Sequence, residues 1–224
     1  MVFIIAAYVY FSGGIQSGVQ IDKKTYPITG IDISDQTGKV NAEIRLPDSI
    51  KFVIIKASQG KDYVDKQFEA NYQWAKAQNV KIGAYHFLSF RKDAKDQASN
   101  FLNQIKDKKF TLPLVLDVES WLNPTSKSDA EITAIIREFL DIVLAKTGNK
   151  MMIYSNESDY KKYIENKFAE NEIWICSFNN PPKTTGKWTF WQYSHQGKFD
   201  FAPGWVDINT FNGNEKDWNN YILK

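Results

Sequence analysis

The chain has 224 residues, 43% of them hydrophobic and 24% charged, which excludes a disordered, collagen-like or multi-span membrane protein. Lys and Arg number 28 against 26 Asp and Glu, a net charge of +2, too balanced for a binder driven by nucleic-acid phosphates. The single cysteine, Cys176, excludes an internal disulfide, and two histidines, His86 and His195, are too few for a His-rich metal site.

Residues Val2–Phe11 (VFIIAAYVYF) are uniformly apolar. The run is too short to span a bilayer as a helix but fits the apolar region of a signal peptide. It lacks a preceding Lys or Arg and a following small-x-small cleavage site. It reads as an export or anchor segment, with an N-terminal β-strand as the alternative. Ser12–Gln20 reads as a linker. Residues 1–25 are therefore expected to be separate from a catalytic domain over 26–224.

From Tyr26 onward short apolar runs alternate with amphipathic stretches. The runs are Ile28–Ile33, Phe52–Ala57, Lys81–Leu88, Leu112–Val118, Met151–Ser155, Glu172–Ser177, Trp188–Tyr193 and Trp205–Phe211. FVIIKA and LPLVLDV are near-continuous β-formers, as strands buried on both faces require. Helices are predicted between them. Asp65–Asn79 has Phe68, Tyr72, Ala75 and Asn79 on one stripe. Asp93–Lys106 starts at an N-cap candidate, Asp93. Ser128–Thr147 has a capping box with Glu131 and a stop at Gly148, and Asn156–Phe168 is the fourth. Alternation implies a parallel sheet with helical crossovers. The expected fold is α/β: an irregular TIM-like (β/α) barrel of about eight strands, with helices missing in the last third.

Parallel barrels carry their sites at the C-terminal ends of the strands. LPLVLDVES ends with Asp117 and Glu119. Residues two apart on a strand share a face, roughly 6–7 Å apart at the backbone. Two carboxyls so placed cannot both ionise easily, so one keeps its proton, as glycoside hydrolysis needs. A solvated strand end or an ion pair is the plainer alternative. Asp32 sits between Ile31 and Ile33, and Asp207 between Val206 and Ile208, where an acid is costly unless paired or used. Lys56 interrupts FVIIKA and is a candidate inward counter-charge. Aromatic residues make up 15% of the chain, and they cluster at the other strand ends: Tyr85, His86 and Phe87; Tyr154; and Trp191, with Gln192 and Tyr193. Such rings fill cores or hold the apolar faces of sugars. Cys176, in the run IWIC, reads as a buried thiol.

Eight segments in order resemble the glycoside hydrolase family 25 lysozymes: GIDIS (30–34), FVIIKAS (52–58), IGAYHF (82–87), LPLVLDVE (112–119), MMIYSN (151–156), IWICSF (173–178), FWQYS (190–194) and VDINTFNG (206–213). The resemblance implies an irregular barrel flanked by helices. It also implies hydrolysis of the β-1,4 bond between N-acetylmuramic acid and N-acetylglucosamine. Glu119 then resembles the acid that protonates the leaving oxygen. Asp117 resembles the partner that attacks the sugar or orients its 2-acetamido group. Asp32 and Asp207 resemble two flanking acids, and Lys56, Tyr85, Tyr154, Trp191 and Tyr193 resemble groove residues. Gln59 departs from the family: SQG stands where Thr-Glu-Gly is frequent.

Asp117–Val118–Glu119 is also similar to the arrangement in family 18 chitinases, where the substrate's acetamido oxygen attacks, so retention with acetamido participation is expected. Two alternatives are a silent glycan-binding barrel and a glycosidase acting on another amino-sugar polymer such as chitin. The expected partner is the peptidoglycan glycan strand, without nucleic acid, metal or cofactor. A monomer in the cell envelope or secreted (periplasmic or membrane-anchored) completes the expectation. Targeting is expected to come from the catalytic domain or the N-terminal segment.

Overall fold

The computed structural model describes residues 19–178, 180–184 and 186–223. Val2–Phe11, the expected export segment, lies outside them. The strands are β1 (Thr29–Ile33), β2 (Ile50–Gln59), β3 (Tyr63–Val64), β4 (Lys81–Phe87), β5 (Val115–Asp117), β6 (Met152–Asn156), β7 (Ile173–Cys176), β8 (Phe190–Gly197) and β9 (Val206–Phe211). They follow the order β1-β9-β8-β7-β6-β5-β4-β2-β3, and β1 also pairs with β2. That pairing closes eight strands into a barrel, with β3 appended to β2. Neighbours around the ring are parallel except at β9, which runs antiparallel to β8 and β1. The expected α/β barrel is therefore the observed fold.

The helices α1 (Phe68–Ala77), α2 (Ala94–Ile105) and α3 (Asp129–Thr147) cross over between parallel strands, and α4 (Glu215–Tyr221) follows β9. α1 buries Phe68, Tyr72 and Ala75 as its spacing predicts. Asn79 is instead exposed beyond its end, with φ 57°. α2 starts after Asp93, whose side chain makes no capping bond. The Ser128–Glu131 capping box forms as expected, and α3 stops at Gly148 in the left-handed region, φ 74°. The expected helix from Asn156 is shorter. Glu157–Asp159 runs directly into a π-helical turn, Tyr160–Ile164, with the Asn156 side chain capping its start. Among the described residues no helix joins β7 to β8 or β8 to β9.

Alternation along β2 sorts two apolar layers. Val53, Ile55 and Ala57 face outward into a core shared with Phe68, Phe101 and Phe139 from the helices. Phe52 and Ile54 face inward, against Val115, Met152, Trp174 and Phe190. The base of the barrel is plugged by aromatic rings: Phe52 and Phe190 lie 4.8 Å apart by centroid, and Trp218 of α4 lies 5.6 Å from Phe52. With the base sealed, the polar side chains of the lumen lie toward the opposite end, where the parallel strands finish. Residues 19–25, read as a linker's end and its continuation, lie against the outer wall: the Val19 N–H donates to the Tyr193 carbonyl at 3.2 Å, and Lys23 Nζ donates to Thr29 Oγ1 at 2.7 Å.

Gly30 on β1 is needed for this plug, because a Cβ there would overlap the Phe52 ring. Gly30→Ala is expected to cost about 1–3 kcal/mol through overpacking. Urea unfolding checks it: the midpoint should fall with the slope unchanged, and an unaltered midpoint would show that the plug tolerates the extra methyl.

Candidate active site

The same alternation that places Phe52 and Ile54 inward places Lys56 inward one step further along β2. On the other strands it aligns Asp32, Tyr85, Asp117, Tyr154, Cys176 and Gln192 above the apolar base. Register fixes two of the acids face to face, since Asp32 on β1 pairs with Asp207 on β9. Directly opposed residues have Cβ atoms roughly 4.5–5.5 Å apart, so two bare carboxylates there would repel strongly.

Hydrogen bonds resolve that repulsion. Asp32, 6% exposed, accepts at one oxygen from Asn209 Nδ2 at 2.8 Å and Gln192 Nε2 at 3.0 Å. Each donor is itself held: Trp174 Nε1 donates to Asn209 Oδ1 at 2.9 Å, and the Tyr154 hydroxyl donates to Gln192 Oε1 at 2.8 Å. Burial lifts the Asp32 carboxyl to about 6, against these bonds and one from Asp207. Asp207 is pushed well above the usual carboxylate range, first by enclosure, then by the charge of Asp32 and the hydrogen bond with it. The singly protonated form of the pair is therefore favoured, with the proton on the Asp207 side.

β5 is shorter than LPLVLDVES suggested and ends at Asp117; Glu119 lies two residues beyond. The extended course continues, because the Val118 N–H donates to the Tyr154 carbonyl at 2.9 Å and Ser155 Oγ donates to the Val118 carbonyl at 2.7 Å. Asp117, also 6% exposed, keeps its proton well above the ordinary range. Burial is the main cause, followed by the charge of Glu119; Lys56 opposes both, and Asp32 and Asp159 add to them. Among the described residues its Oδ1 has no hydrogen-bond partner. Glu119 is only partly covered, and its pKa is raised to about 7, by desolvation first and by the charges of Asp159 and Asp32, against a 3.3 Å hydrogen bond from Asn156 Nδ2.

Lys56, buried among the strands, donates to neutral Gln59 Oε1 at 2.8 Å. Burial lowers its pKa, while Asp117, Asp65 and Asp35 hold it up. Phe87 lies beside it, with Nζ 5.4 Å from the ring centroid. The Tyr85 phenol is raised well above its usual range, first by burial and then by Asp32, Asp117 and Asp207. Lys56, Tyr85, Phe87, Tyr154 and Gln192 are thus gathered with the four acids. Trp191 and Tyr193 are not. They project from the opposite face of β8, where Trp191 is 0% exposed and donates through Nε1 to the Ser177 carbonyl at 2.7 Å, and the two rings lie 5.7 Å apart. Tyr193 sits beneath Lys23 on the outer wall. His86 also faces outward, bonded to Ser58 at 2.8 Å and stacked 4.9 Å from Phe139, with its pKa lowered to about 3 by burial.

Sequence reasoning passed over Asn209, Asn156 and Asp159. Asn209 could have been noticed as a polar residue two positions from Asp207 on the same inward face. Asn156, the last residue of β6, and Asp159, three residues on, carried no such signal beyond their place at a strand end.

Known proteins share this fold and sequence. A family profile described as "Glycosyl hydrolases family 25" matches residues 31–201. A solved family 25 glycosyl hydrolase from Bacillus anthracis is 30% identical, with a TM-score of 0.82 over 93% of this chain and 98% of that one. The bacterial lysozyme from Streptomyces coelicolor superposes with a TM-score of 0.76 at 30% identity, covering 85% of this chain and 94% of that one. "Lysozyme M1" of Streptomyces globisporus is 32% identical, over 84% of this chain and 69% of its own length.

The raised pKa of Glu119 has a stability cost with a defined sign. Below its ordinary value of 4.5 the group is protonated whether the chain is folded or not. Between 4.5 and about 7 the unfolded chain releases the proton and the folded chain retains it, so folded stability declines as pH rises through this window. Glu119→Gln removes that decline. Its thermal midpoint should exceed wild type at pH 8 and match it at pH 4; equal midpoints at both would show that Glu119 titrates normally.

Proposed function

Starting from the premise that this chain belongs to glycosyl hydrolase family 25 and hydrolyses peptidoglycan, we propose that it is an N-acetylmuramidase with Glu119 as general acid and base. The bond cut is the β-1,4 link from N-acetylmuramic acid to N-acetylglucosamine. The observation that carries the residue assignment is a partly open Glu119, its pKa raised to about 7 mainly by burial, beside a buried Asp117 whose Oδ1 has no hydrogen-bond partner among the described residues. An acid with a pKa near the working pH is poised both to give and to take a proton.

Glu119 protonates the glycosidic oxygen as the bond to the anomeric carbon breaks. Burial, followed by the charge of Glu119, disfavours the ionised and nucleophilic form of Asp117. This favours attack by the acetamido oxygen of the muramic acid from the opposite face, forming a cyclic oxazolinium, with Asp117 Oδ1 accepting the acetamido N–H. Water then opens the ring, its proton passes to Glu119, and the anomer is retained. Substrate-assisted enzymes of this kind are recognised exceptions to the two-carboxylate scheme. The shared proton of Asp32 and Asp207 keeps two negative charges from facing each other beside the developing positive charge. Lys56, Tyr85, Phe87, Tyr154 and Gln192 line the sugar site, and Trp191 and Tyr193 brace it from the outer face of β8. The N-terminal run Val2–Phe11 serves export or anchoring, which brings the enzyme to a wall outside the cytoplasm.

Glu119→Gln is expected to lower the release of new reducing ends from purified peptidoglycan by about 10²–10⁴-fold. A variant as fast as wild type would remove Glu119 from the chemistry, and a wild type releasing no ends would make the barrel a glycan binder. In wild type, kcat/KM should fall as pH rises above about 7, where Glu119 loses its proton. The first-formed product should be the β-anomer by NMR; an α-anomer would rule out retention.

A further inference from the structure

We propose that Asp159 is a positioning residue for Glu119, clamping the backbone just beyond it and orienting the Asn156 amide that touches its carboxyl. The inference rests on Glu119 being the acid assigned above. Asp159 is 3% exposed, and a carboxyl so deeply buried is costly unless it is fully used. One oxygen, Oδ2, accepts three bonds: from the Ser120 N–H at 2.7 Å, from Ser120 Oγ at 3.0 Å and from Asn156 Nδ2 at 2.7 Å. The Asp159 N–H donates to Asn156 Oδ1 at 2.9 Å, and Asn156 Nδ2 also donates to Glu119 Oε1 at 3.3 Å. The end of β6 is thereby tied to the segment after β5 on both sides of the Glu119 carboxyl, through Asn156 at its tip and Ser120 at its backbone. Capping of the short helix at Glu157 is done by Asn156, so it does not explain the three bonds at Asp159.

The two neighbours act on Glu119 in opposite directions. The Asn156 bond favours the ionised carboxyl; the Asp159 charge favours the protonated one. The other groups facing Glu119 are Asp32 from β1, Asp117 from its own segment, Tyr154 from β6, Cys176 from β7 and Asp207 from β9. Among the charges that raise the Glu119 carboxyl, that of Asp159 comes before that of Asp32.

The test uses Asp159→Asn in the full chain. All three bonds run to one oxygen, so the Asn carbonyl can take its place and keep the clamp while the charge is lost. The Glu119 carboxyl is titrated by carbon-13 NMR, and kcat/KM for reducing-end release is profiled against pH. Asp159→Asn should lower the Glu119 titration and the alkaline limb together by about one pH unit, leaving KM unchanged. Asn156→Ala should move both upward, and it carries the test alone should Asp159→Asn fold poorly. An unmoved Glu119 titration, or a shift in the same direction in both variants, would overturn the proposal. A shifted titration in a protein that releases no reducing ends would sink the muramidase reading and leave the positioning role standing.

Discussion

Four carboxyl groups at one end of a closed barrel cannot all be ionised, and the site is organised around that limit. The antiparallel return of β9 places Asp207 opposite Asp32, and the extended chain leaving β5 places Glu119 two residues from Asp117. In each pair burial and the partner's charge push one group, Asp117 or Asp207, well above the usual carboxylate range. The surrounding polar residues fix which acid bears charge. Trp174 through Asn209, and Tyr154 through Gln192, direct two donors onto one oxygen of Asp32. Asp117 receives no such bond at Oδ1, and Glu119 receives a longer one. The hydrogen-bond donors are therefore concentrated on the acid that is to remain anionic.

The two ends of the lumen depend on each other. Phe52, Phe190, Phe211 and Trp218 seal the base, excluding water from below. The low dielectric that results raises the pKa values above, because burial is the leading cause at Asp32, Asp117, Glu119 and Asp207 alike. Most of the chain's aromatic content goes into this plug and the outer layer; Trp174 and Trp191 are both buried. Tyr85, Phe87 and Tyr154 are the portion that faces the acids.

Much of this was legible in the sequence because the barrel imposes a period of two. An acid or lysine breaking an apolar run, as Asp32, Lys56 and Asp117 do, marks an inward position where burial must serve a use. The same rule explains Trp191 and Tyr193. In FWQY, Phe190 and Gln192 point inward, so their neighbours point outward, yet both faces of a buried strand are apolar and composition cannot distinguish them. Asn209, Asn156 and Asp159 escaped for a different reason. They act through hydrogen bonds between segments distant in the chain, such as Asn209 to Asp32, and no local pattern encodes those partners. The helix after β6 is shorter than the sequence predicts, because Tyr160, Tyr163 and Ile164 bury their side chains from a π-helical turn that ends at Ile164.

This buried set of acids is expected to cut a peptidoglycan glycan strand on the muramic acid side. Mass spectrometry of the soluble fragments released from a defined sacculus, after borohydride reduction, tests it most directly. Reduction marks the sugar whose anomeric carbon was freed. Muramitol at the reduced end is the predicted result; glucosaminitol there would contradict the account.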